Sequence, residues 1–446
     1  MTKKAIQLSD HFTYKLLLRF TFPSVIMLVF TSIYGIVDGF FVSNFVGKTP
    51  FAALNFIMPV LMILGCVGFM FGTGGGALIA KTLGEGDSKK ANETFSLLVY
   101  VSAACGVVLA VLGIVFLRPI AVLLGAEGQL LSDCLLYGRI ILLALPFYIL
   151  QYEFQCLFAT AEKPRLGLSV TVAAGVTNMV LDALFVAFFH WGLAGAAAAT
   201  ALSQFVGGVI PLVYFGRKNT SLLRLVKCKW DDKVLLKACT NGASELMSNI
   251  SMSLVSMLYN AQLMKYLGEN GIAAYGVLMY VSLMFQAVFI GYSVGAAPIV
   301  SFHYGAQNHA ELKSLLKRSA ILLGSFAVLM CLAGELLGRP LSVIFVGYDA
   351  ELLDLTAHAF SIFSLSFLLS GFVIFGSSFF TALNNGFVSA AISFVRTLLF
   401  QVAAVLIFPL IFGVDGIWWS IPAAEVMAFL VTLLFLVGNR KKYGYM

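Results

Sequence analysis

Residues 45–53 read FVGKTPFAA, and residues 266–274 read YLGENGIAA. The two glycines, Gly47 and Gly268, stand 221 positions apart, and the same offset carries the match outward without a gap. Ala52-Ala53 meets Ala273-Ala274, Met58 meets Met279, Gly74 meets Gly295 and Gly84 meets Gly305. Farther out, Arg118-Pro119 meets Arg339-Pro340, Thr160-Ala161 meets Thr381-Ala382, and Gly192 and Gly195 meet Gly413 and Gly416. Identities in apolar, Gly- and Ala-rich sequence arise easily by chance. Those at turns carry more weight, because a turn dictates its residue. The chain therefore reads as a duplication.

The solvent for both halves follows from composition. Hydrophobic residues make up 60% of the 446 and charged residues only 11%, with 40 phenylalanines. Soluble domains carry about 25% charged residues. A chain this apolar needs lipid around it, and its apolar runs recur at the ~20-residue length of a spanning helix. The runs predict spans over 15–42, 51–80, 92–117, 133–159, 166–189, 193–215, 234–265, 272–300, 315–338, 352–381, 388–412 and 415–437. The first run is too long for a signal peptide and lacks a small-residue cleavage site, so it is read as a span. The expected fold is an all-α integral membrane protein of twelve transmembrane helices in two pseudo-symmetric six-helix lobes. Six spans per half make both halves enter from the same side, as parallel lobes about an axis near the membrane normal. The expected division is an N-terminal lobe over 1–215, a linker over 216–233 and a C-terminal lobe over 234–446.

The formal net charge of +7 is placed for a membrane rather than for nucleic acid. Of the 28 Lys and Arg, 22 fall in residues 3–19, 81–90, 163–165, 217–237, 313–318 and 440–442. The opposite loops hold only Lys48, Arg118, Lys265 and Arg339, while Arg139 and Arg396 lie within spans. By the positive-inside rule both termini and the linker are expected in the cytoplasm. The seven cysteines form no CxxC pair and read as small apolar packing. GTGGG at 72–76 is followed by no GK[ST] and preceded by no strand, so it is a close-packing or hinge element and not a phosphate loop.

Ionisable groups within spans are expensive and so informative. They are Asp38, Glu153, Asp182, Glu245, Glu425, Arg139 and Arg396. Five carboxylates against two arginines suit protons, metal ions or organic cations. Asp38 lies late in the first span, beyond Pro23, which removes a backbone hydrogen bond and permits a bend. Asn178 and Asp182 are four apart and share one helix face, as do Ala196 and Thr200. Together these groups could form an oxygen cage for Na⁺ or share a proton. Equally, Asn178 and Asp182 could simply hydrogen-bond between helices. Neither acid is repeated: the offset brings Asp38 to Tyr259 and Asp182 to Ala403. Ion chemistry is thus expected in the N-terminal half alone. Glu153 and Glu425 are candidates to pair with Arg139 or Arg396, and His190 and His358 read as interfacial. Pro23 is the candidate hinge. Tyr34, Glu245, Tyr259, Met279 and Gln286 are candidate substrate contacts in a cleft between the lobes.

Several stretches, taken together, resemble the multidrug and toxic compound extrusion (MATE) family. They are FPSVIMLVFTSIYGIVDGFFV, FVGKTPFAA, GTGGGALIAKTLGEGD, FATAEKPR, NMVLD, LAGAAAATALSQ, GENGIAAYGV and GAAPIVSFHYGAQN. The resemblance covers essentially the whole chain and is nearest the bacterial drug-efflux branches. It implies a V-shaped twelve-helix fold and alternating access that exports cationic amphiphiles in exchange for Na⁺ or H⁺. It also implies a bacterial inner-membrane location, a monomer in contact with membrane lipid, no further cofactor and no enzyme activity. The family's cation site falls on Asp38, Asn178, Asp182, the Ala196 carbonyl and Thr200. The chain departs from the family at Ala161-Glu162-Lys163-Pro164, where relatives often read Ala-Glu-Gly-Asn-Pro. The carboxylate that some branches carry in the second lobe is missing from its expected place, so no second cation site is expected. The alternative function is a flippase for lipid-linked oligosaccharide, which would call for a cationic cavity to hold phosphate. A membrane-embedded enzyme would need a nucleophile–base or metal constellation, and five unpaired histidines supply none. A channel explains the two-lobe repeat less well.

Overall fold

The computed structural model describes residues 6–347 and 349–445, so Lys3 and Lys4 of the basic N-terminal segment lie outside it. Among the described residues every regular element is helical. The first half comprises α1 (Tyr14–Phe41), α2 (Lys48–Met70), α3 (Gly76–Gly84), α4 (Ser88–Leu123), α5 (Gly128–Thr160), α6 (Pro164–Asp182) and α7 (Gly192–Gly216). The second comprises α8 (Asp232–Gly305), α9 (His309–Val346), α10 (Ala350–Ser364), α11 (Phe367–Ala382), α12 (Gly386–Phe394), α13 (Gln401–Phe412) and α14 (Val414–Tyr443).

These helices make twelve crossings. The first, second, fifth and eleventh pass through π-helical turns at Val42–Val46, Phe71–Gly75, Ala183–Phe188 and Val395–Phe400. The seventh and eighth are the two arms of α8, parted at Gly268, whose φ of 61° and ψ of −147° no helix interior tolerates. The tenth is the α10–α11 pair, bent by 49°. Ten helices pass a length-and-apolarity test on their own, and the bent pair adds an eleventh. The remaining crossing is the first arm of α8, which carries Lys233, Lys237, Glu245 and Lys265.

The 221-residue repeat is visible in the backbone. Gly47 and Gly268 both take positive φ, as do Gly192 and Gly413, and Gly86 and Gln307. The halves meet through the same correspondence. A Cβ on Gly84 would lie 2.9 Å from the Ala306 nitrogen and press on the Phe302 carbonyl, and one on Gly305 would lie 3.0 Å from the Lys81 Cα. Lys81 and Phe302 are themselves 221 apart, so this contact maps onto itself. A Cβ on Gly74 would lie 2.5 Å from the Gly242 nitrogen, and one on its counterpart Gly295 would lie 3.0 Å from the Cα of Thr21, the counterpart of Gly242. Close approach of two backbones is what glycine permits in a bundle without a hydrophobic drive between helices.

These contacts share one end of the bundle with the basic turns and the chain ends. The Leu8 N–H donates to Glu162 (2.6 Å), the Phe12 N–H to Glu311 (2.9 Å), and Arg318 donates to the Phe12 carbonyl. The Arg224 N–H donates to Asn92 (2.6 Å), and His309 meets the Tyr443 carbonyl at 3.1 Å. Across the halves, Asn384 donates to the Ala77 carbonyl at 3.4 Å and itself accepts from Lys237 (2.7 Å) and Asn241 (2.8 Å). The segment from Leu8 to Phe20 thus clasps both halves: Leu8, Phe12 and Phe20 lie in the apolar core of the second.

Candidate functional site

The structure brings Asp38, Asn178, Asp182 and Thr200 together from three helices. Asp38 ends α1 one turn before its π-helical continuation, and Asp182 is the last residue of α6 before its own. The two π turns pack on one another, which sets the ends of α1 and α6 side by side. Farther along, Gly175 lets α6 approach α1 so closely that a Cβ there would lie 2.8 Å from the Tyr34 ring. The Asn178 amide donates to the Thr200 hydroxyl oxygen at 3.4 Å, and the Thr200 hydroxyl donates to Asp38 at 3.5 Å. Both contacts are long, at the limit of a hydrogen bond. Ala196 is fully buried one turn before Thr200 on α7.

Charge defines this cluster. Asp38 is 8% exposed and Asp182 0%. The two carboxyls face each other, yet neither oxygen of Asp182 makes a well-formed hydrogen bond. Among the described residues no Lys, Arg or His forms an ion pair with either acid. A buried carboxylate without partners costs several kcal/mol, so the arrangement is suited to a cation or a proton that would offset that cost. Its donor set is all oxygen, from two carboxyls, an amide and a hydroxyl, which fits a hard monovalent cation. Among the described residues no group of three or more His, Cys, Asp or Glu is arranged to hold a metal.

Two residues near this cluster escape a motif reading. Tyr137 of α5 is fully buried with its hydroxyl facing Thr200 and both acids, outside strict hydrogen-bond geometry. Gln151 of the same helix faces Tyr34, which in turn lies near Asp38. The available signal was a polar stripe along α5: Tyr137, Tyr148, Gln151, Tyr152 and Gln155 recur at helical spacing. Tyr148 and Tyr152 share a hydroxyl hydrogen bond of 2.9 Å.

The other candidates separate. Glu245, half-buried on the first arm of α8, faces Cys66 of α2 and Cys156 of α5, between the halves. Met279 and Gln286 are half-buried on the second arm, and Gln286 donates to Ser282 at 2.9 Å. Tyr259, in contrast, is fully buried inside the second half, stacked on Tyr275 at 5.3 Å, so it cannot line an open cleft. Pro23 is buried in α1, which continues through it unbroken. Of the expected ion pairs, Arg396 meets Glu425 through Nε at 2.9 and 3.1 Å and Nη2 at 2.8 Å. Glu153 does not pair: it is fully buried with both oxygens unpartnered, facing Ser102 of α4, while Arg139 is exposed. Position along a span did not say which neighbour a side chain faces. His358 pairs with Asp415 at 2.9 Å, half-exposed at the end away from the linker.

Known proteins share this architecture. The chain is 25% identical over 433 residues to "Multidrug export protein MepA" of Staphylococcus haemolyticus (strain JCSC1435), covering 96% of this chain and 94% of the relative. It is equally 25% identical over 425 residues to the protein of that name from Staphylococcus saprophyticus, covering 95% and 93%. Among solved structures, a MATE transporter in complex with MaL6 superposes with a TM-score of 0.94 at 20% identity over the whole of both chains. An outward-facing multidrug resistance MATE family transporter of the MOP superfamily gives 0.93 at 20% identity, again over the whole of both chains. The MatE family model matches twice, over residues 23–184 and 246–407, one copy in each half. With that double match across most of its length, the chain belongs to the MatE family of multidrug and toxic compound extrusion transporters.

Proposed function

We propose that this protein is a secondary multidrug antiporter that exports cationic amphiphilic compounds in exchange for Na⁺ or H⁺. One observation carries the reading: two buried, facing carboxyls, with no counter-cation among the described residues, in one half of a duplicated membrane bundle. The names of the MepA relatives support export of many drugs. Coupling follows from competition between states. A cation bound at Asp38 and Asp182 stabilises the packing of α1, α6 and α7 that holds it. Drug favours the other arrangement, and each ligand shifts the balance only by its differential affinity.

The basic end of the bundle, with the linker and both chain ends, is assigned to the cytoplasm of a bacterial inner membrane by its excess of Lys and Arg. The glycine contacts at that end then close the cleft toward the cytoplasm, and the similarity to an outward-facing relative agrees with this. The division into lobes at 1–215 and 234–446 follows the same repeat. Tyr34, Glu245, Met279 and Gln286 remain as substrate contacts, with Pro23 as the hinge in α1. The protein is expected to act as a monomer.

The test is efflux of a fluorescent organic cation from proteoliposomes under an imposed Na⁺ or pH gradient. Gradient-driven efflux in wild type and its loss in Asp38→Asn and Asp182→Asn is the expected result. Unimpaired efflux in both variants would sink the site assignment.

A further inference from the structure

A groove of about 800 Å³ runs between the two halves, walled by α1 and α6 on one side and by the second arm of α8 and α9 on the other. Its walls are apolar, among them Phe22, Leu168, Phe326 and Leu329. Phe22 and Leu329 are each 59% exposed, so the groove opens sideways, toward the hydrocarbon of a bilayer. Two arginines stand at one end of it. Arg19 lies three residues before Phe22 on α1, and Arg165 lies three residues before Leu168 on α6. Each is therefore one helical turn nearer the basic, linker end than the apolar wall of its own helix. Among the described residues no carboxylate lies within ion-pair distance of either. Neither arginine is accounted for by the cation site or by the clasp that Leu8 and Phe12 make.

We propose that this groove holds an anionic phospholipid of the cytoplasmic leaflet. Its phosphate lies between Arg19 and Arg165, and an acyl chain lies against Phe22, Leu168, Phe326 and Leu329. Three arguments select this occupant. The two guanidiniums are matched by a phosphodiester, which accepts from arginine in a fixed geometry. The charged end faces the side that the positive-inside rule assigns to the cytoplasm, the leaflet that carries anionic headgroups, as in basic pockets between transmembrane helices. The apolar remainder opens toward the bilayer, so a lipid enters without crossing water. The position gives the lipid a consequence for transport. The groove is built from both halves, beside the Gly291–Val25 and Gly295–Thr21 approaches of α8 and α1. A lipid wedged there stabilises this arrangement of the lobes over any in which α1 and α9 separate.

Native mass spectrometry of the purified protein in detergent, titrated with phosphatidylglycerol or with phosphatidylcholine of the same chains, tests the proposal. Wild type should retain phosphatidylglycerol in preference. At about one basic contact each, Arg19→Gln and Arg165→Gln should weaken that retention about fivefold singly and about thirtyfold together. Arg217→Gln/Lys218→Gln, in the linker, should leave it unchanged. Leu329→Trp, which keeps both arginines and fills the groove, should reduce retention of the lipid without touching its charge recognition. Equal retention of the two lipids by wild type overturns the proposal. So does full retention by a folded Arg19→Gln/Arg165→Gln variant, or displacement of the lipid by glycerol phosphate at equal concentration. If the double arginine variant fails to fold, the wild-type preference and the Leu329→Trp result decide.

Discussion

Gly84→Ala should loosen the joint that closes the bundle at its basic end. The new methyl would press on the Phe302 carbonyl oxygen and lie 2.9 Å from both the Phe302 carbonyl carbon and the Ala306 nitrogen. Comfortable carbon contacts need about 3.5–4.0 Å. The obstructing atoms are backbone of the opposite half, so no side-chain rotation relieves the clash. Either the helices bend or the halves part by roughly 1 Å. Overpacking of this kind costs about 1–3 kcal/mol. That cost falls on the closed state and vanishes when the halves separate, so it shifts the lobe equilibrium by roughly 5- to 150-fold. Gly305→Ala is the mirror change, placing a methyl 3.0 Å from the Lys81 Cα. Because both act on one joint, the pair should cost less than the sum of the singles. The assay is pulsed dipolar spectroscopy between spin labels at Glu85→Cys and Gln307→Cys, with the seven native cysteines replaced. Gly84→Ala and Gly305→Ala should each populate longer distances. Gly276→Ala and Gly438→Ala, where a Cβ meets nothing within 4 Å, should not. Unchanged distributions in both joint variants would refute the idea that glycine contact holds this end closed.

Other outcomes follow from the same structure. Arg396→Met leaves Glu425 buried and unpaired, and should cost about 3–5 kcal/mol; thermal unfolding in detergent should show that loss and its partial recovery in Arg396→Met/Glu425→Leu. Burial pushes the Glu162 carboxyl up from the ordinary range, against the Leu8 N–H that favours its charged form. Glu162 thus adds stability that is complete in acid and lost as pH rises through its raised folded pKa, and Glu162→Gln should flatten that part of the stability–pH curve. Tyr137→Phe keeps the ring and removes the hydroxyl facing Thr200, so it should weaken cation coupling in the gradient-driven efflux assay while leaving the unfolding temperature near wild type.

The crossings were legible because lipid imposes them: a spanning helix must be long and apolar, and the repeat at turns fixed their pairing. Their interruptions were not. Nothing in Ser364-Leu365-Ser366 announces the 49° bend between α10 and α11, since neither Gly nor Pro stands there. Of the π turns, Phe71–Gly75 overlaps the glycine run at 72–76, the one stretch read as a close-packing or hinge element. The pairing of Asp38 with Asp182 could be argued from residues alone, because Asn178 and Asp182 share a face and the LAGAAAAT segment permits close approach. Tyr137 could not, because that takes knowing which face of α5 meets α7. For the same reason Glu153 was expected beside an arginine, when its helix turns the carboxyl toward Ser102 instead.

The repeat also explains why only one half should bind the coupling ion. Carrying the region of the N-terminal site forward by 221 residues leads from Asp38 to Tyr259, from Asp182 to Ala403, from Gly175 to Arg396 and from Gln204, one turn beyond Thr200 on α7, to Glu425. Tyr259 is buried near Ser420 and Glu425, and Arg396 is bound to Glu425. The second half has thus filled the equivalent region with a neutral phenol and a pair of charges that cancel. In the first half, two carboxyls remain with no cation of the protein's own paired to them among the described residues. A joint built from glycines at mirror positions works equally from either side, so symmetry is kept where, on the proposed mechanism, the halves would rock against each other. The proposed coupling would need the opposite, one place whose charge is incomplete until a solute arrives. Adding a second such place by Arg396→Gln should therefore leave Glu425 open to a proton or cation. Efflux driven from a site in the second half, measured in an Asp38→Asn/Asp182→Asn background, would then be restored only if charge deficit alone makes a coupling site. Failure to restore it, in a folded protein, would show that the placement of Thr200 and Asn178 around the acids is required as well.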